Sequence, residues 1–295
     1  LGLVGSWLVT PAAAFTVFAC EPEWAALTRV LIPAVRVHVA THVGQDPHHI
    51  EARPALIAQL RAADLAVCTG ASLESGWLPT LQERAGNARA RDVFFASDHV
   101  VLIDPQPGVI GTPWAGDVHA EGNPHLHLDP RRLLQVSRAL GERLAKELPA
   151  ERMAIEQRSR AFEAAWRQHL ADWDRRASPL RGRRIAAQHT TFGYLWHWLG
   201  LQQVADLEPR PGMSPTPGHL QRLLEGLRAS PPAAVVIASY QDPRPGRWLT
   251  GQLATAAGTR VPLLTLPATV PETAGEKELV LWMEGLVREL LQGLR

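Results

Sequence analysis

The chain has 295 residues, with 30 Lys+Arg against 29 Asp+Glu and a formal net charge of +1. That balance lacks the basic excess of nucleic-acid binding, so no nucleic-acid partner is expected. The length suits two compact lobes, on a prior of about 100–200 residues per domain, each large enough to bury a core without staples. Ten tryptophans stand against two tyrosines and six phenylalanines, and most are read as core or lobe-interface packing.

Residues 1–14 are apolar and end Ala12-Ala13-Ala14. They are read as a signal-peptide remnant, an apolar stretch and small-residue cleavage site without the charged n-region. The stretch is shorter than the about 20 residues that span a bilayer, and no later segment is longer and as apolar. A soluble exported protein, periplasmic in location, is expected.

From Phe15 onward strands and helices alternate. Residues 15–19 read as a strand, 21–31 as a helix ended by Pro33, and 35–40 as a strand. A helix over 54–63, a strand over 64–68 closed by Gly70, and a helix over 73–84 follow. Residues 92–96 form a short strand that 100–103 continue. This βαβα order predicts a parallel, doubly wound sheet, with 15–149 as the N-terminal lobe. Residues 104–122 are a Pro/Gly-rich loop carrying Asp117, His119 and Glu121. A loop of that length without periodicity is commonly functional, and it is read as a mobile route for metal entry or release. Asp129 then caps a helix with Pro130 at its first position.

Residues 150–178 read as one amphipathic helix, about 42 Å long at 1.5 Å per residue. That exceeds what one lobe needs, so it is read as a beam linking two lobes. The alternation then repeats over 179–295, with strands at 184–187, 204–207, 234–239 and 261–266. Helices are predicted at 192–199, 217–228, 247–257 and 278–294. The expected fold is α/β: two doubly wound lobes joined by a long helix, with a metal site in the cleft between them.

Three histidines occupy equivalent settings. His48 lies in Asp46-Pro47-His48, after a lobe-one strand. His125 lies in an Asn123-Pro124-His125 turn before a helix, and His189 follows the strand at 184–187. Ligands of open α/β sheets bind beyond the carboxyl ends of strands, and adjacent prolines stiffen two of these turns. Converging neutral imidazoles suit a borderline metal such as Zn²⁺.

These motifs, with Asp64-Leu65-Ala66-Val67, Gly70, Trp77-Leu78, Phe192, Tyr194 and Leu195, resemble the ZnuA-like (cluster A-I) solute-binding proteins of zinc and manganese ABC importers. The resemblance runs from Phe15 to the C-terminal helix. It is strongest to a zinc subgroup, through Phe18-Ala19-Cys20-Glu21-Pro22-Glu23-Trp24 and Gly116-Asp117-Val118-His119. It implies two lobes joined by a long helix, delivery of bound metal to a membrane permease, and His48, His125 and His189 as ligands. A metallochaperone donor and a monomeric state are the further expectations. Manganese members commonly replace the third histidine by a carboxylate, so His189 points to Zn²⁺ as the transported ligand.

Two departures stand out. The usual aromatic two places after the second ligand is His127, which alternation turns away from His125. The strand end at Leu266-Pro267 lacks the Asp that many members carry, and Glu278 is the expected fourth ligand in its place. Glu51, Asp117, His119 and His127 are read as residues that orient ligands or line the entry loop. The family's sheet order makes the strands bearing Cys20 and Cys68 neighbours, so a disulfide is expected, with two free thiols as the alternative. The competing functions are a zinc hydrolase, with Glu51 as its candidate base, and a binder of Mn²⁺ or of metal chelates.

Overall fold

The computed structural model describes residues 15–86, 89–105, 119–258 and 260–295. The signal-peptide reading of residues 1–14 and the entry-loop residue Asp117 lie outside the described residues.

Two four-stranded parallel sheets share one topology. The first runs in the order β2 (Arg36–Val39), β1 (Thr16–Ala19), β3 (Leu65–Cys68), β4 (Val93–Phe95). The second runs β6 (Gln202–Asp206), β5 (Arg184–Ala187), β7 (Ala234–Ala238), β8 (Leu263–Leu266). Sequence hydrophobicity sets this order. β1, β3 and β7 are buried along their whole length, as strands covered on both faces must be. The more polar β2 and β6 are only partly buried and take the edges. In register, Ala19 lies beside Val39 and Val67, and Ala187 beside Asp206 and Val236. The carboxyl ends of each sheet are therefore level, and the loops that leave them make one rim.

Helix α4 (Pro130–Glu147) follows the first sheet, capped by Asp129, whose side chain accepts from the Arg131 N–H. Helix α5 (Arg152–Arg176) is 25 residues long, about 38 Å at 1.5 Å per residue. Its buried stripe is Ile155, Phe162, Trp166 and Trp173. It packs on α4, on α1 (Pro22–Leu31) from the first half of the chain and on α9 (Glu276–Gly293) from the last. Each indole on the stripe is paired: Trp166 Nε1 donates to Pro130 O at 2.9 Å and Trp173 Nε1 to Glu284 Oε2 at 2.9 Å. One apolar core runs from Trp24 through Trp166 and Trp173 to Trp198 and Met283, so the lobes share one apolar interior. An interface this apolar restrains the relative motion of the lobes.

Three departures from the expected boundaries have a visible cause. Residues 71–77 form turns, and the helix predicted from residue 73 is α3 (Leu78–Ala85), which starts only at Leu78. The cause is Glu74, whose carboxylate folds back to accept from the Thr69 N–H at 2.6 Å and the Gly70 N–H at 3.1 Å. Helix α8 (Pro243–Ala257) begins earlier than predicted, because Asp242 caps it and Pro243 fills its first position. Residues 100–103 do not continue β4: Ile103 turns its N–H to Tyr194 Oη at 3.2 Å and its carbonyl to the Asn123 N–H at 2.8 Å. No described helix is long and apolar enough to cross a membrane.

Candidate metal centre

The rim between the sheets carries the three histidines. His48 follows β2 in a side-chain-capped turn: Asp46 Oδ1 accepts from the His48 N–H at 3.0 Å and contacts its Nδ1 at 2.7 Å. Trp77 Nε1 donates to Pro47 O at 2.9 Å and fixes the turn from below. His125 sits ahead of the short 3-10 turn Leu126–Leu128, with its N–H held by Asn123 Oδ1 at 2.9 Å. His189 leaves β5 with φ +64°, a left-handed conformation that non-glycine residues rarely adopt. Asp206 Oδ1 takes its N–H at 3.0 Å, and Glu208 Oε2 stands 3.0 Å from its Nδ1.

These turns bring the ligand nitrogens of His48, His125 and His189 within 4.8 Å of one another. All three residues are buried. Carboxylates against Nδ1 of His48 and of His189 set the N–H on that nitrogen and leave Nε2 as the electron-pair donor. Burial, reinforced by His48 and His189, holds the His125 imidazole well below its usual pKa. A neutral ring is the metal-binding form, and among the described residues His125 Nε2 has no hydrogen-bond partner.

The sequence profile of the family described as zinc-uptake complex component A, periplasmic, matches residues 17–293. The chain belongs to that family. Its members are the metal-binding, extracytoplasmic components of ABC importers. Among curated relatives, the manganese ABC transporter substrate-binding lipoprotein PsaA of Streptococcus pneumoniae is 26% identical over 220 residues, covering 72% of this chain and 67% of its own. The zinc-binding lipoprotein AdcA of Streptococcus pneumoniae is 23% identical over 235 residues, covering 77% of this chain and 45% of its own. The chain thus spans under half the length of AdcA. The crystal structure of ZnuA superposes with a TM-score of 0.79 at 18% identity, covering 96% of this chain and 100% of that one, which shows the shared two-lobe fold.

Beyond the three histidines, this ZnuA-family chain departs from the sequence expectations. Glu278 is not brought to them. Its carboxylate accepts the Gly275 N–H at 2.9 Å and caps the start of α9, so the expected fourth ligand is a helix cap. Glu51 is exposed on the chain ahead of α2 (Pro54–Ala62) and is not in the three-histidine set found among the described residues. His127, read as turned away from His125, is buried in a 3-10 turn in which strand alternation does not apply. Its Nε2 pairs with Ala268 O at 2.9 Å, and its Nδ1 lies 3.1 Å from Glu23 Oε1. It therefore ties α1, the second turn and the loop after β8 together.

His119 is the residue whose position the sequence reading understated. It is buried, and its Nε2 lies 3.1 Å from Nε2 of His48. Burial, with His48 and His189 adding to it, lowers its pKa to about 3. Glu121 beside it is exposed. Cys20 and Cys68 are joined in a disulfide with Cα atoms 4.8 Å apart. Their sulfurs approach Glu74 but, being bonded to each other, they are not thiolate ligands.

Proposed function

We propose that the protein captures Zn²⁺ between its lobes outside the cytoplasm and delivers it to the membrane permease of an ABC importer. The observation that carries this is the convergence of three buried histidines, two of them backed by carboxylates, at the carboxyl ends of the two sheets. Three neutral nitrogens with no carboxylate among them favour Zn²⁺ over Mn²⁺, which prefers oxygen. Asp46 and Glu208 supply negative charge one atom layer behind the cation and raise the basicity of the rings they touch.

The cation is cargo, and hydrolysis has no support here. A hydrolase needs a general base within reach of a metal-bound water, and Glu51, the candidate base, is exposed on the turn before α2. The segment from the exposed Glu121 to the buried His119 is the natural receiving point for a metallochaperone donor, because it connects the surface to the site. A panel of divalent ions in thermal-shift and equilibrium binding assays tests the reading, with a substrate panel on the zinc-loaded protein as control. Zinc binding at one equivalent without turnover is expected. Absence of zinc binding, or steady hydrolysis that requires zinc, overturns it.

A further inference from the structure

We infer that His119 is the fourth ligand, so that zinc is held by four imidazoles rather than by three and a carboxylate. The inference rests on the zinc-capture reading and extends it.

A Zn–N bond of about 2.0–2.1 Å in tetrahedral geometry separates ligand nitrogens by about 3.3–3.4 Å. Nε2 of His48 and Nε2 of His119 are 3.1 Å apart. With about 1.1 Å from nitrogen to ring centre, four zinc-bound imidazoles would have centroids about 5.2 Å apart. The observed separations are 5.2 Å for His48 and His119, 5.4 Å for His48 and His125, and 5.4 Å for His48 and His189. His125 and His189 are 5.8 Å apart, and His119 and His125 6.5 Å. The ligand nitrogens of His48, His125 and His189 already lie within 4.8 Å of one another; His119 touches His48 and has to move in toward His125, from a centroid separation of 6.5 Å, to complete the tetrahedron.

The tautomers agree. Asp46 holds the His48 proton on Nδ1, so His48 turns an electron pair toward His119. Without metal, His119 Nε2–H can donate to that pair. A cation between the two nitrogens replaces this bond with two coordinate bonds, once the His119 proton moves to Nδ1.

The backbone presents His119 rather than leaving it to chance. Gly122, three residues on, has φ +137°, and a Cβ there would stand 2.6 Å from Leu102 Cβ and 2.8 Å from Ile103 O. Only glycine lets this turn lie so close on residues 102–103. The Gly122 N–H returns to His119 O at 3.2 Å, and the Asn123 side chain reaches Thr190 O, next to His189, at 2.8 Å. Among the described residues no carboxylate joins the three-histidine set. The loop after β8 offers Ala268 and Thr269, which are occupied by His127 and Glu23, and Glu278 caps α9.

The test compares the parent with His119→Ala and His119→Gln. X-ray absorption of the zinc-loaded proteins counts imidazoles, visible spectra of the Co²⁺-loaded proteins report geometry, and chelator competition gives affinity. Four imidazoles are expected in the parent and three plus oxygen in both variants. Zinc affinity should fall about tenfold or more, and the preference for Zn²⁺ over Mn²⁺ should narrow. Three or fewer imidazoles in the parent, or variants matching the parent in spectrum and affinity, overturn the assignment. That first result stands even if a variant misfolds, which far-ultraviolet circular dichroism would reveal. Failure of the underlying reading looks different: the parent itself would not bind zinc, or His48→Ala and His125→Ala would bind as it does.

Discussion

Asp46→Ala removes two interactions that build the first histidine turn. Oδ1 accepts the His48 N–H at 3.0 Å and faces Nδ1 at 2.7 Å. The backbone bond is a neutral donor on a charged acceptor, worth about 1.5–3 kcal/mol when shielded. Asp46 is 35% exposed at its side chain, so about 1 kcal/mol of metal-free stability is the reasonable loss after solvent screening. The larger effect falls on metal binding. Without the carboxylate, the His48 ring is free to rotate and to take the wrong tautomer, and loss of such partners costs about 10–100-fold in affinity, or about 1.4–2.7 kcal/mol. Asp46→Asn keeps an acceptor but not the charge and should fall between. Chelator competition with a fluorescent zinc indicator measures the affinity, and denaturant unfolding of metal-free protein measures the stability. Parent-like zinc affinity in Asp46→Ala, alongside a clear loss in His48→Ala, would refute the role given to this carboxylate.

Further predictions follow from the same contacts. His48→Ala, His125→Ala and His189→Ala should each abolish most of the zinc-induced rise in melting temperature, which for the parent at 100 times Kd corresponds to about 2.7 kcal/mol; an undiminished rise in any of them removes that residue from the site. Glu278→Ala should lower the melting temperature through loss of its cap while leaving zinc affinity unchanged, and weaker zinc binding would restore it as a ligand. Burial raises the Glu74 carboxyl to about 7. The folded protein therefore holds a proton that the unfolded chain has released, and the corresponding stability, full below about pH 4.5, is lost as pH rises through 7. Glu74→Gln should flatten stability between pH 5 and 8 in urea titrations, and an unchanged slope would contradict this. Cys20 and Cys68 close a loop with a separation of 48 residues, so their replacement by Ala should cost about 4 kcal/mol on loop entropy, measured by unfolding; no loss would argue against the bridge.

The fold was legible where burial is strongest. The apolar runs of β1, β3, β5 and β7 declare central parallel strands, and the tryptophan stripe of α5 declares a beam with lobes on its sides. His48 and His125 were legible because prolines beside them stiffen short turns. His189 was legible as a strand-end residue, although its left-handed backbone was not. What escaped depended on contacts distant in sequence. Nothing local to His119 shows that Gly122 packs its turn onto Leu102 and Ile103. Glu74 folds back on Thr69 and delays α3, a competition between side chain and backbone that helical periodicity does not register. Glu278 was misread despite a local signal: a carboxylate three residues after Gly275, at the start of an apolar helix, has the spacing of a capping box.

A site of nitrogen ligands alone should select zinc over manganese. Equilibrium competition between Zn²⁺ and Mn²⁺ for the metal-free protein, read by the metal content of the protein after dialysis against both ions, tests it most directly. One equivalent of zinc and essentially no manganese at equal free concentrations is the predicted result. Equal occupancy, or an excess of bound manganese, would contradict the account.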